Sequence, residues 1–129
     1  MTENQIEDDK VSREELQRIV LLIRKFRLPL HDEKQTQEAM LKAFEVSGLN
    51  VQREFRFLNG DKIDFLLDNG IGIEVKVKGQ RMAMFRQLER YTTSEHISGI
   101  ILATAVKMDL PAEINNKPAI VASLTHGWI

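Results

Sequence analysis

Two Asn-Gly pairs, Asn59-Gly60 and Asn69-Gly70, separate three short runs of strand-forming residues and constrain this chain more than any other feature. Asn-Gly between apolar runs is a strong hairpin signal, because both residues accept the positive φ that a tight turn between twisted strands requires. Residues 51–57, 62–67 and 71–77 therefore read as an antiparallel meander. Loop length then decides which side chains share a face, since a slip of one residue turns every side chain over. Two-residue loops would pair Phe55 with Asp64 and Asp64 with Val75, mixing charge with apolar groups. Three-residue loops, Leu58-Asn59-Gly60 and Asp68-Asn69-Gly70 with each glycine in a left-handed bulge, pair Phe55 with Ile63 and Asp64 with Glu74 instead. That register predicts one apolar face running from Phe55 and Phe57 through Ile63, Phe65, Leu67, Ile71, Ile73, Val75 and Val77. The opposite face carries Glu54, Asp64, Glu74 and Lys76.

The flanking segments follow helical periods. Ser12 with Glu15 fits a capping box, and Leu16, Ile19, Val20 and Ile23 recur at helical spacing, so a first helix is expected over about 13–26. Pro29 stops it, Asp32 is a good N-cap, and a second helix should end at Gly48. Its apolar face holds Met40, Ala43 and Phe44. Glu38 lies on a polar stripe, where pattern alone makes it a surface glutamate facing Lys42. Residues 81–93 read as a third helix with Met82, Met84, Phe85 and Leu88 as core contacts, and with Gln87 and Tyr91 on one face. The apolar run 97–105 suits a strand covered on both sides. Pro111 should open a short helix, and 119–124 reads as a last strand. The order α-α-β-β-β-α-β-(α)-β predicts one α/β (α+β) domain with a mixed sheet between helices. Within it, 1–11 is expected to be flexible, 12–28 an extra N-terminal helix, 32–105 the core, and 106–129 a C-terminal extension.

Composition narrows the chemistry. There is no cysteine, and His31, His96 and His126 have no zinc-ligand spacing, so any metal would be held by oxygen. The acidic start is unlike a signal peptide, and the apolar run 19–23 is too short to cross a bilayer, so the expected setting is the cytoplasm, away from membranes. The net charge of -1 gives no general case for nucleic acid, but bases cluster locally. Lys78, Arg81, Arg86 and Arg90 follow the third run and could face phosphates; a solvated helix face explains them equally well.

Magnesium needs hard oxygen ligands and is commonly held by one or two carboxylates plus substrate phosphate and water. Asp64 and Glu74, opposed across a strand pair, could supply them. Because a strand has period two, Glu74 and Lys76 point the same way, and a lysine beside a metal-bound carboxylate can orient water and meet charge on an attacked phosphate. The plain alternative is the wet face of a half-buried sheet. Asp64 at hairpin spacing shifts the balance toward chemistry.

Asp64, Glu74-x-Lys76 and the upstream helical Glu38 resemble the PD-(D/E)XK nuclease superfamily, whose restriction-endonuclease-like core, α-β-β-β-α-β, is similar to the order over 32–105. The resemblance implies Asp64, Glu74 and the Val75 carbonyl as ligands of Mg2+ or Mn2+, Lys76 as the catalytic lysine, and Glu38 as an additional acid. Gln87-Leu88-Glu89-Arg90-Tyr91 resembles the Q-x-x-x-Y motif of the RecB-like branch, where these side chains support the metal site and DNA. Ile63 stands where the name-giving proline would be, and Gln80 competes with Gln87 as the post-strand glutamine of viral-type stand-alone nucleases. The implied function is a metal-dependent DNA nuclease directed by DNA ends or structure, alone or with a partner protein. Two alternatives stay open: a homodimeric Holliday-junction resolvase, and a non-catalytic nucleic-acid-binding or assembly subunit that keeps the fold.

Overall fold

The structure, a computed structural model, describes residues 11–125 of the 129. The expectations for residues 1–10 and His126 lie outside these residues. The elements are α1 (Arg13–Arg24), α2 (Glu33–Val46), β1 (Val51–Arg56), β2 (Lys62–Leu67), β3 (Ile71–Lys76), α3 (Arg81–Thr92), β4 (Gly99–Thr104), β5 (Glu113–Ile114) and β6 (Lys117–Ser123). Local chemistry sets their ends. Ser12 and Glu15 form the reciprocal capping box of α1, Asp32 caps α2 through the Lys34 N–H, and Gly48 takes the left-handed conformation beyond α2 at φ 77°. Val11, expected in a flexible segment, is buried against the core.

The six strands form one mixed sheet in the order β1-β2-β3-β4-β6-β5. β1, β2 and β3 are the antiparallel meander; β3, β4 and β6 run parallel, with α3 as the crossover between β3 and β4. Both turns have the three-residue register: Phe55 opposes Ile63, Phe65 opposes Ile73, and Gly60 and Gly70 have φ of 95° and 90°. The short helix expected after Pro111 is absent. Glu113 and Ile114 instead pair with β6 across Asn115 and Asn116, both at positive φ, a two-residue turn that asparagine tolerates. Pro111 therefore precedes a hairpin rather than opening a helix.

Two clusters cover the sheet. α1 and α2 bury Leu16, Ile23, Met40 and Phe44 against Phe65, Ile73, Val75 and Ile101 on one face. α3 buries Met84, Leu88 and Tyr91 against Phe57, Ile63, Ile100 and Leu102 on the other. Met82, expected in the core, is 59% exposed, because α3 turns only its Met84–Leu88–Tyr91 stripe inward.

The single apolar face predicted for the meander is not observed. Phe65, Leu67, Ile71, Ile73 and Val75 pack under α1 and α2, whereas Phe55, Phe57 and Ile63 pack on the α3 side. The reversal falls between the pairs Arg53–Phe65 and Phe55–Ile63, where Glu54 has φ 57° and Asp64 stands opposite. A non-glycine residue in that conformation rotates the strand locally, so the hairpin tip coils over the α3 face. Gly72 makes room for it: a Cβ there would lie 2.6 Å from Ile63 Cδ1 and 2.8 Å from Ile97 Cδ1.

Candidate active site

The β2–β3 ladder is regular at Phe65–Ile73 and Leu66–Gly72 and then changes character. The next two backbone donors are met by carboxylates: Asp64 N–H donates to Glu74 Oε1 at 3.2 Å, and Val75 N–H donates to Asp64 Oδ2 at 2.8 Å. Each acid thus holds the other's strand. A strand residue presents its N–H and C=O to the same neighbour, so the Val75 carbonyl faces this gap too. The Lys76 carbonyl points the other way, accepting from Ala105 N–H at 3.3 Å and from the Thr104 hydroxyl.

Lys76 Nζ lies 3.5 Å from Glu74 Oε2, with the lysine side chain 26% exposed and that of Glu74 4%. Burial pushes the Glu74 carboxyl up to about 8, and the Asp64 charge adds to this against the Lys76 ammonium. Burial also raises Asp64, opposed by the Val75 N–H and Lys76. Two carboxyl groups therefore share a largely dry gap with one ammonium, an environment in which added positive charge is favourable.

On α3, Gln87 Nε2 donates to the Tyr91 hydroxyl at 2.7 Å, and that hydroxyl donates to the Lys62 carbonyl at 2.8 Å. Burial and then the Glu74 and Asp64 charges raise the Tyr91 pKa, keeping the phenol protonated as a donor. Phe57 stacks on its ring with centroids 5.3 Å apart. Tyr91 thus ties α3 to the start of β2 beside the carboxylate pair.

The structure brings Asp64, Glu74, Lys76, Gln87 and Tyr91 together, with Val75 between the two acids. Glu38 is elsewhere: it is exposed and paired with Arg53 of β1 rather than Lys42, because the α2 polar stripe overhangs β1. The helical acid that does approach is Glu33, in the first turn of α2. It accepts from Val77 N–H at 3.0 Å and its charge helps raise Asp64. Its position directly after the N-cap Asp32 was the available signal, since a first-turn acid at a helix N-terminus can also cap a neighbouring strand end. Among the described residues no group of three or more His, Asp or Glu side chains converges as a metal cage. A metal here would rest on the Asp64–Glu74 pair, the Val75 carbonyl, and water or substrate oxygen.

No family model, curated protein or solved structure matches the chain. The geometry alone carries the functional argument.

The cations expected at phosphate divide into two groups. Arg90 Nε is 3.0 Å from Asp61 Oδ2, and Arg81 Nε donates to the Lys107 carbonyl at 2.9 Å. Lys78 and Arg86 are exposed. A cavity of about 780 Å3 lies away from the carboxylates, lined by Arg24 at the end of α1, by Lys25, Phe26 and Arg27 beyond it, and by Leu28 and Leu124. No helix among the described residues is long and apolar enough to cross a membrane.

Proposed function

We propose that this chain is a small metal-dependent DNA nuclease of the PD-(D/E)XK type, hydrolysing phosphodiester bonds at the gap between β2 and β3. The observation that carries the reading is the reciprocal bonding of Asp64 and Glu74 across that gap with Lys76 in contact. Structural salt bridges on a wet sheet face do not replace ladder bonds or bury two carboxyl groups together, whereas buried acids with strongly shifted pKa values cluster at functional sites.

The donor set fits Mg2+ or Mn2+. Asp64, Glu74 and the Val75 carbonyl are hard oxygens, and magnesium accepts one or two carboxylates when water completes its shell. When bound, such an ion supplies a more acidic water and screens the phosphate oxygens. Lys76 is placed to orient a water or to meet charge developing on the phosphate. Tyr91, fixed by Gln87 and the Lys62 carbonyl, holds the β2 end of the gap at its spacing. Recognition would come from DNA ends, flaps or junctions.

The test incubates pure protein with labelled linear, circular, flapped and four-way DNA in Mg2+, Mn2+ or EDTA. Cleavage should require the metal and fall at least about 100-fold in Glu74→Gln and Lys76→Ala, in line with losing a group that acts in the transition state. If the wild type leaves every substrate uncut, or both variants cut as well as it does, the assignment is wrong. Symmetric paired nicks in the four-way substrate would identify a junction resolvase.

A further inference from the structure

We infer that the cationic groove beyond α1 is the track for a single DNA strand running along the sheet edge from the Asp64–Glu74 site. The inference deepens the nuclease reading and rests on it. The groove follows from how the chain turns. α1 ends at Arg24, Pro29 precludes its continuation, and the connector to α2 starts beside Leu124, just beyond β6. Its far end is pinned where Glu33 accepts from Val77 N–H, just beyond β3.

The strand ends set the geometry. Ala105 N–H donates to the Lys76 carbonyl at 3.3 Å, and Leu124 N–H donates to the Thr104 carbonyl at 3.0 Å. Lys76 and the groove wall Leu124 therefore lie at one edge, two strand spacings or roughly 10 Å apart, with the β2–β3 gap on the far side of β3. Open sheets with parallel strands bind ligands at the carboxyl ends of those strands, which is this edge.

The lining fits a polyanion with flat apolar faces. Lys25 and Arg27 are exposed, Phe26 is 36% exposed between them, Leu28 and Leu124 supply apolar walls, and no acidic residue among the described residues lines the groove. Proteins that bind single strands combine cations for the backbone with aromatic rings on which bases stack. An acidic peptide would satisfy Lys25 and Arg27 but would leave the Phe26 ring without a planar partner.

Binding is read by fluorescence anisotropy with the full chain, a labelled 15-nucleotide oligothymidylate and EDTA, over a salt series. The Lys25→Gln/Arg27→Gln double variant should bind about tenfold more weakly. Its plot of log affinity against log salt should be shallower by about 1.4, from 0.7 for each phosphate-bound cation on a single strand. Phe26→Ala should weaken binding by about tenfold without changing that slope. Thermal melting monitored by circular dichroism should show all variants folded, since these side chains are exposed. The proposal is overturned if the wild type does not bind the oligonucleotide, if affinity and slope are unchanged in the variants, or if a polyglutamate peptide binds as tightly as the DNA. A parallel cleavage assay separates the two readings. Normal cleavage with unaltered binding removes the groove alone, whereas binding that depends on the groove without any cleavage removes the nuclease and retains the DNA track.

Discussion

Replacing Glu74 by glutamine should make the protein more stable at alkaline pH, although it removes a central residue of the site. The Glu74 carboxyl rises from an ordinary 4.5 to about 8 in the folded chain, through burial first and the Asp64 charge second. The folded state therefore keeps a proton that the unfolded state has already released. By linkage, this contribution is fully present below about pH 4.5, is lost progressively as pH rises to about 8, and is flat above it. At 1.36 kcal/mol per unit the loss is on the order of 5 kcal/mol, a large fraction of the 5–15 kcal/mol typical of a domain. Glutamine keeps an oxygen to accept from Asp64 N–H and cannot ionise. Urea unfolding in EDTA, repeated between pH 5 and 9, reads the difference between the two proteins and cancels groups common to both. The variant should gain on the wild type steadily across this range, by several kcal/mol at pH 9. Mg2+ or Mn2+ should then recover much of the wild-type deficit and little in the variant. Parallel stability curves from pH 5 to 9 would refute the reasoning, since they would mean that Glu74 is already ionised, and well solvated, in the fold.

Tyr91→Phe should cost about 1–3 kcal/mol, because the Lys62 carbonyl loses its hydroxyl donor and Gln87 its acceptor in a part-buried setting; thermal unfolding at pH 7 measures this. Glu33→Ala should reduce cleavage severalfold, whereas Glu38→Ala, which breaks an exposed pair with Arg53, should leave cleavage unchanged and cost at most about 1 kcal/mol; initial rates in Mg2+ decide between them. Lys117→Met should destabilise by about 1–2 kcal/mol, since its ammonium donates to the Thr92 and Ser94 carbonyls at the C-terminal end of α3, each at 2.7 Å; the urea midpoint is the readout.

Much of the architecture was legible because its determinants are local. The capping box at Ser12, the left-handed glycines and the two Asn-Gly turns act within a few residues of themselves, and the three-residue loops fixed the opposition of Phe55 with Ile63 and Phe65 with Ile73. Face alternation is local only while a strand is regular. Glu54 in a left-handed conformation ends that regularity, and no neighbouring residue announces it, since glutamate has no special preference for positive φ. The β5 strand was hidden for a related reason: Asn115 and Asn116 form its turn, but Pro111 gave a stronger and misleading helix signal. Within the site, the Asp64, Glu74 and Lys76 grouping followed from strand period and register. The approach of Glu33 did not, because it depends on where the connector from α1 lays the start of α2. Glu38 could be weighed only by helical spacing, whereas its partner Arg53 comes from another element.

The carboxylates that interrupt the β2–β3 ladder also constrain how this chain can change. A variant that discards the acids discards two rungs of the sheet as well: Asp64→Ala leaves the Val75 N–H with no acceptor in a part-buried gap, at about 1–3 kcal/mol. Asn or Gln at these positions would remove the charge and still close the gap, since an amide oxygen can accept in place of the carboxylate. The same logic recommends Asp64→Asn over alanine for testing the proposed role of Asp64, because it separates the loss of a charge from the loss of a strand contact.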